Sequence, residues 1–183
     1  MAAPTRTPRT RWIEQGMRAL AAGGPDAVRI DSLAKALGVT RGGFYWHFDN
    51  REALLTELLE TWERETTVSV IERLEREGGD PRSKLRHLWQ MAARPGTFPV
   101  DLAVRDWARR DHAVAARLRR VDDRRMDYLR SLYRPLCTGE DQVELRAFLS
   151  FSLLIGDHFI AAGHGNRSRA DVIDSTLRWL GAG

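Results

Sequence analysis

Thr40, Arg41, Gly42, Gly43, Tyr45, Trp46 and His47 concentrate hydrogen-bond donors and bare backbone into eight positions, in a sequence with no nucleophile elbow and no paired acid–base cluster. The phenol of Tyr45 and an imidazole N–H of His47 suit phosphate oxygens, contacts that fix register on a duplex without reading its sequence. The opposing reading packs one of the two inside a small core. Arg41 either forks onto a guanine edge, worth about 1–3 kcal/mol of discrimination, or clamps a phosphate. Gly42 either admits a close backbone or answers a turn requirement. Adjacent glycines cost about 1 kcal/mol each against alanine in a helix. Four aromatic or imidazole side chains in five positions also exceed what one buried face absorbs, so local stability is given up for contact with a ligand. Phe44 and Phe48 are the pair expected in the core.

The elements around this block must hold it at a surface. Ile30, Leu33, Ala34 and Leu37 form the apolar face of a short helix that Gly38 ends, and the compact glycine-bearing segment comes next. Helix, glycine turn and compact helix make a helix-turn-helix, whose second helix enters the major groove of DNA. Ahead of it, Trp12, Ile13, Gly16, Met17 and Leu20 recur at three- and four-residue spacing, predicting a helix that stops at Gly23-Gly24-Pro25. Residues 1–8 read as a flexible arm, in which Arg6, with Arg9 and Arg11 beyond it, either adds phosphate contacts or is an ordinary tail. After the block, Asp49-Asn50 offers an N-cap for a long helix reaching Glu77, with Leu54, Leu55, Leu58, Leu59 and Trp62 as its seam. Arg51 at its start has a DNA-backbone reading against a solvated one.

Four further helical segments are predicted, over about 82–93, 100–110, 112–133 and 141–162, with a last one at about 169–180. The 141–162 segment is apolar nearly all round, which predicts a central position. Nothing reads as a strand. The expectation is an all-α chain with a flexible basic arm at 1–8, a DNA-binding domain at 9–55 (motif about 29–48) and a helical body at 56–183.

The 183 residues suffice for a sizeable core, and 29 basic against 25 acidic side chains give a net charge of +4, too mild to indicate nucleic acid alone. All basic residues except Lys35 and Lys84 are arginine, which codon usage in a GC-rich genome explains as well as function does. A single cysteine, Cys137, and no apolar run of membrane-spanning length predict a soluble protein of a reducing compartment, the cytoplasm. No His-x-x-x-His pair occurs, so no metal and no cofactor is expected. Ser32-x-x-Lys35 matches an acyl-transfer pattern but lacks its companion elements, and reads as chance.

Leu33-Ala34, Leu37-Gly38-Val39, Gly42, Phe44-Tyr45-Trp46-His47-Phe48 and Arg51-Glu52-Ala53-Leu54-Leu55 stand in an order and spacing that resembles the tetracycline-repressor (TetR) family of bacterial transcription regulators. The resemblance covers about the first third of the chain. It implies a three-helix DNA-binding head, a helical ligand-binding body and a homodimer through the last two long helices. It also implies an effector that shifts the spacing of the heads until the dimer leaves its operator. Two positions depart from the family's habit. Arg29 stands where a capping Thr or Ser is common, and Gly43 where a hydroxyl often meets phosphate. Arg29 replaces that contact by charge. In the body, Trp89, Met91, Phe98, Trp107, Tyr128, Phe148, Phe151 and Phe159 are candidates to line an apolar effector cavity, or are plain core. Asp157 and His158 interrupt the most apolar helix, either to orient a ligand or to bond a neighbouring helix or subunit. The rival functions are an enzyme, for which no acid–base cluster exists, and a DNA-binding regulator (an activator, or one switched by a protein) with no small-molecule effector.

Overall fold

The amphipathic periodicity resolves into helices throughout the computed structural model, which describes residues 7–92 and 98–181. Those residues form two units, one of 7–66 with 98–119, the other of 67–92 with 120–181. The predicted break at Pro95-Gly96 and the arm residue Arg6 lie outside the described residues. The division falls at Thr66–Thr67 rather than after residue 55, and residues 98–119 join the first unit.

In the first unit, α1 (Arg9–Ala27) buries Trp12, Gly16 and Leu20, and kinks at Gly23 and Gly24, where the sequence places a stop. Gly16 is required by packing: a Cβ there would stand 2.9 Å from Leu58 Cδ2. The short α2 (Ile30–Leu37) buries Leu33 and Ala34 and ends at Gly38, whose φ of 68° favours glycine. The Val39 N–H donates to the Ala34 carbonyl at 3.0 Å and turns the chain.

The next segment, Arg41–Trp46, is a tight 3-10 helix rather than a regular α-helix. Six residues is long for that form. Two glycines remove the propensity that would favour the wider helix, and Phe44, wholly buried, anchors the segment instead. Its ring meets Trp12 edge-on at 5.4 Å and stacks with Phe48 at 5.2 Å.

Asn50 then caps α3 (Arg51–Glu63), its side-chain oxygen accepting the Ala53 N–H at 2.8 Å. Leu54, Leu58 and Trp62 of α3 are fully buried. α3 runs through a wide π turn, Arg64–Val68, into α4 (Ser69–Glu77), so the predicted long helix is continuous but irregular. Two more helices come after it, α5 (Pro81–Ala92) and α6 (Pro99–Ala108). α6 packs along α1 and against α3.

The second unit holds α4, α5, the later part of α7 (His112–Tyr133), α8 (Glu140–Gly156) and α9 (Arg169–Trp179). Leu85, Trp89, Leu129, Leu132, Tyr133, Val143, Ala147 and Leu177 form its core. α9 is closed by a capping box between Ser168 and Asp171. The expectation that the 141–162 helix is central is corrected. α8 buries only Val143, Ala147 and Ser150, while Phe148 on another face is 57% exposed. Phe151, Leu153 and Leu154 pack partly against the core, while Leu145 and Phe148 stay exposed.

Candidate nucleic-acid interface

The 3-10 segment sorts its aromatic rings by burial. Phe44 and Phe48 face the core, and Tyr45 and Trp46 are 47% and 70% exposed. With three residues per turn, Phe44 takes the buried side and the two positions after it, Tyr45 and Trp46, take the outer sides. Tyr45 is steadied from beneath by an edge-on contact with Phe44 at 5.4 Å.

Arg41 is not a free side chain. Its Nε and Nη2 donate to Tyr45 Oη at 3.3 and 3.0 Å, and Nη1 lies 3.7 Å from Asp31 Oδ1. The bond to Tyr45, then the negative charge of Asp31, hold the guanidinium even further above its ordinary value. Tyr45 Oη accepts from Arg41, which leaves its own hydrogen to donate elsewhere. The exposed face thus presents a positioned cation beside a phenolic donor, flanked by Thr40 and Trp46.

Gly42 and Gly43 have no conformational need for glycine, since neither has a positive φ. An added Cβ would meet Thr40 Oγ1 at 3.8 Å from Gly42 and Trp12 Cζ2 at 3.8 Å from Gly43, ordinary contact distances. The turn-requirement reading of Gly42 is therefore set aside. Neither packing nor backbone conformation among the described residues requires glycine at 42 or 43.

Three other sequence candidates are placed differently. His47 is half-buried and its Nε2 lies 2.8 Å from the Thr7 carbonyl, so that nitrogen carries the hydrogen and is already engaged. Arg51 is not a merely solvated group: its Nε and Nη2 donate to the Val28 and Pro25 carbonyls at 2.8 and 2.5 Å, which neutralises the C-terminal end of α1. Arg29 occupies the N-cap of α2, exposed, its Nε bonded to the Asp26 carbonyl at 3.1 Å.

The effector candidates divide between the units. Phe98, buried, and Trp107, half-buried, belong to the first. Trp89 is buried in the second, with Met91, Tyr128 and Phe151 half-buried. Phe148, Phe159 (68% exposed) and His158 lie on the surface of the second unit, so they are corrected as lining of an enclosed cavity. Asp157 accepts from Arg169 Nε at 2.6 Å, the neighbouring-helix reading. Tyr128 Oη donates to Glu75 at 2.9 Å, and burial, together with that bond, pushes the phenol well above its usual range.

Three buried polar features were not anticipated from the sequence. Asp101 accepts from Trp62 Nε1 at 3.0 Å and Arg105 Nε at 2.9 Å. Tyr133 Oη and Ser150 Oγ share a bond of 2.7 Å. Trp12 Nε1 and Trp89 Nε1 are buried without a partner among the described residues. The spacing of Val143, Ala147 and Ser150 on one helix face was the available signal for the second.

Known proteins resemble this chain in sequence over its first part and in fold. Residues 13–58 match the family model described as bacterial regulatory proteins, tetR family. Over 80 residues the chain is 32% identical to the transcriptional regulator AcrR of Shigella flexneri; the match covers 44% of this chain. The chain spans 37% of that relative's length. A solved transcriptional regulator from Saccharomonospora viridis in complex with choline aligns with a TM-score of 0.71 and 22% identity, covering 94% of this chain and 93% of that one. AibR, solved with isovaleryl coenzyme A and operator DNA, aligns with a TM-score of 0.66 and 17% identity over 94% and 97%. At these identities the two structures share the fold.

Proposed function

We propose, for a chain that belongs to the tetR family of bacterial regulatory proteins, a homodimeric repressor that binds a pseudo-palindromic DNA operator and is released by a small-molecule effector. The observation that carries the reading is the sorting of the 41–48 block. Phe44 and Phe48 hold it to the head, while Arg41, Tyr45 and Trp46 stand outside on a segment whose glycines serve no internal need. Thr40, Tyr45 and Arg29 supply phosphate contacts and Arg41 reads a base edge or clamps a phosphate; His47 contributes through packing. A two-fold dimer would set two such segments about 34–36 Å apart, or a multiple of that, which demands symmetric half-sites. Leu145, Phe148 and Trp179, all exposed and apolar, support pairing through α8 and α9. The site of action is the cytoplasm, where the operator is.

Release is linkage. An effector must bind the DNA-incompetent arrangement better than the competent one, with a coupling of about 1–3 kcal/mol. The neighbours that hold choline and isovaleryl coenzyme A favour this over a regulator without an effector. Selection of tight binders from a random duplex pool tests the reading. The expected outcome is an inverted repeat, bound by two chains. Enrichment of no sequence, or of an asymmetric site bound by one chain, would refute it.

A further inference from the structure

The core of the second unit contains two hydrogen-bond donors that have no acceptor. Trp89 is 9% exposed, packed with Leu85, Leu129 and Leu132, and its Nε1–H meets no partner among the described residues. Tyr133 and Ser150, both fully buried, share one hydrogen bond. Whichever hydroxyl donates, the other retains a hydrogen for which no described residue provides an acceptor. Native interiors rarely leave such groups unmatched, and each instance calls for a specific cause.

Both groups are donors, so the missing partner is an acceptor. It is also uncharged. Among the described residues of this unit the buried polar side chains are Thr67 and Ser150, with no buried carboxylate, guanidinium or ammonium to compensate an ion. Arg146, whose charge reaches Tyr133, is half-buried and in contact with water. The rest of the cluster is aliphatic or aromatic, and Met126, half-buried against it, is a flexible side chain able to change shape around a guest.

We infer that the second unit binds a neutral, largely apolar molecule carrying an oxygen acceptor, such as a ketone, ester or lactone, with Trp89 Nε1 donating to that oxygen and the Tyr133–Ser150 pair offering the second donor. This rests on the reading of the second unit as the effector-binding part, and it selects a ligand class unlike the cation and the acyl thioester held by the structural neighbours.

The probe is benzophenone, with diphenylmethane as the same two rings lacking the carbonyl, and choline and benzoate as charged controls. Binding to the full chain is measured by calorimetry and thermal shift. Benzophenone is expected to bind about tenfold more tightly than diphenylmethane, the worth of one matched donor. Trp89→Phe should abolish that difference while leaving diphenylmethane binding and the melting temperature unchanged or raised; Ser150→Ala should reduce it partly. Equal binding of the two probes, a preference untouched by Trp89→Phe and Ser150→Ala, or tighter binding of choline or benzoate would each overturn the inference. Operator affinity is read separately. A carbonyl probe held by Trp89 that leaves DNA binding unaltered keeps the site and defeats the effector reading. A compound that releases DNA with no dependence on Trp89 does the reverse.

Discussion

Arg41 and Tyr45 act as one group, because each guanidinium bond to Oη both orients the cation and occupies the phenol's lone pair. Their effects on DNA should therefore not add. Tyr45→Phe, which removes the acceptor and the phosphate donor together, is expected to blur the preference at whatever base pair Arg41 recognises. A double-mutant cycle with Arg41→Ala across operator variants should give a coupling of about 0.5–2 kcal/mol; strict additivity on every variant would dissolve the pair. Gly43→Ala separates folding from binding. Its Cβ finds ordinary contact at Trp12, so the melting temperature should hold or rise, while operator affinity falls at least about tenfold. Retained affinity in a well-folded Gly43→Ala chain would deny the close backbone approach. The inward turn of Phe44 and Phe48 was legible from spacing alone. The destinations of His47 and Arg51 were not, because their carbonyl partners lie 40 and 23–26 residues away and nothing local announces them.

Helices were readable wherever an apolar stripe outlasted three turns, as in α1 and α3. The exceptions are the places where packing overrides winding. Phe44's burial favours a 3-10 segment, and the π turn at Arg64–Val68 leaves no mark in the hydrophobic pattern. Between elements, two polar links carry predictions. Asp101 joins α6 to Trp62 of α3 from a position 2% exposed. Asp101→Ala removes the buried acceptor shared by an indole N–H and a largely covered guanidinium, and should cost about 2–4 kcal/mol in urea unfolding. Asp101→Asn keeps the acceptor for Trp62 and should cost less. Arg9 and Glu57 tie α1 to α3 through two bonds of 2.9 Å. The bond to Arg9 outweighs burial and holds the Glu57 carboxyl below its usual value. With the folded value beneath the unfolded one, the pair's stabilisation is complete above about pH 5 and is lost as pH falls through the folded value. Arg9→Gln should flatten that acid limb, measured by urea midpoints from pH 7 to 3. At neutral pH it should cost under about 1 kcal/mol, because Arg9 is half exposed.

At the level of the whole molecule, the all-helical class and the principal helices could be read from the sequence. The allocation of 98–119 to the first unit could not, because it depends on α1 and α6 finding each other across some ninety positions. The pattern also misled at α8. An apolar circumference says that every side is covered, without saying by which molecule, and in the proposed homodimer a second copy covers the exposed side. Phe148→Glu is thus expected to convert a dimer into a monomer by analytical ultracentrifugation, with little change in helicity and a steep loss of operator affinity. A variant that stays dimeric would move the pairing surface elsewhere. The π turn has a last consequence. Its looser winding takes up one surplus residue within an α-helical run, so the turns before and after it keep their phase. Excising the exposed Glu65 should therefore turn Arg64–Val68 into ordinary helix with little loss of stability and Leu74 still buried, whereas a one-residue deletion at the start of the regular α4 would turn what comes after it by about 100° and carry Leu74 into water.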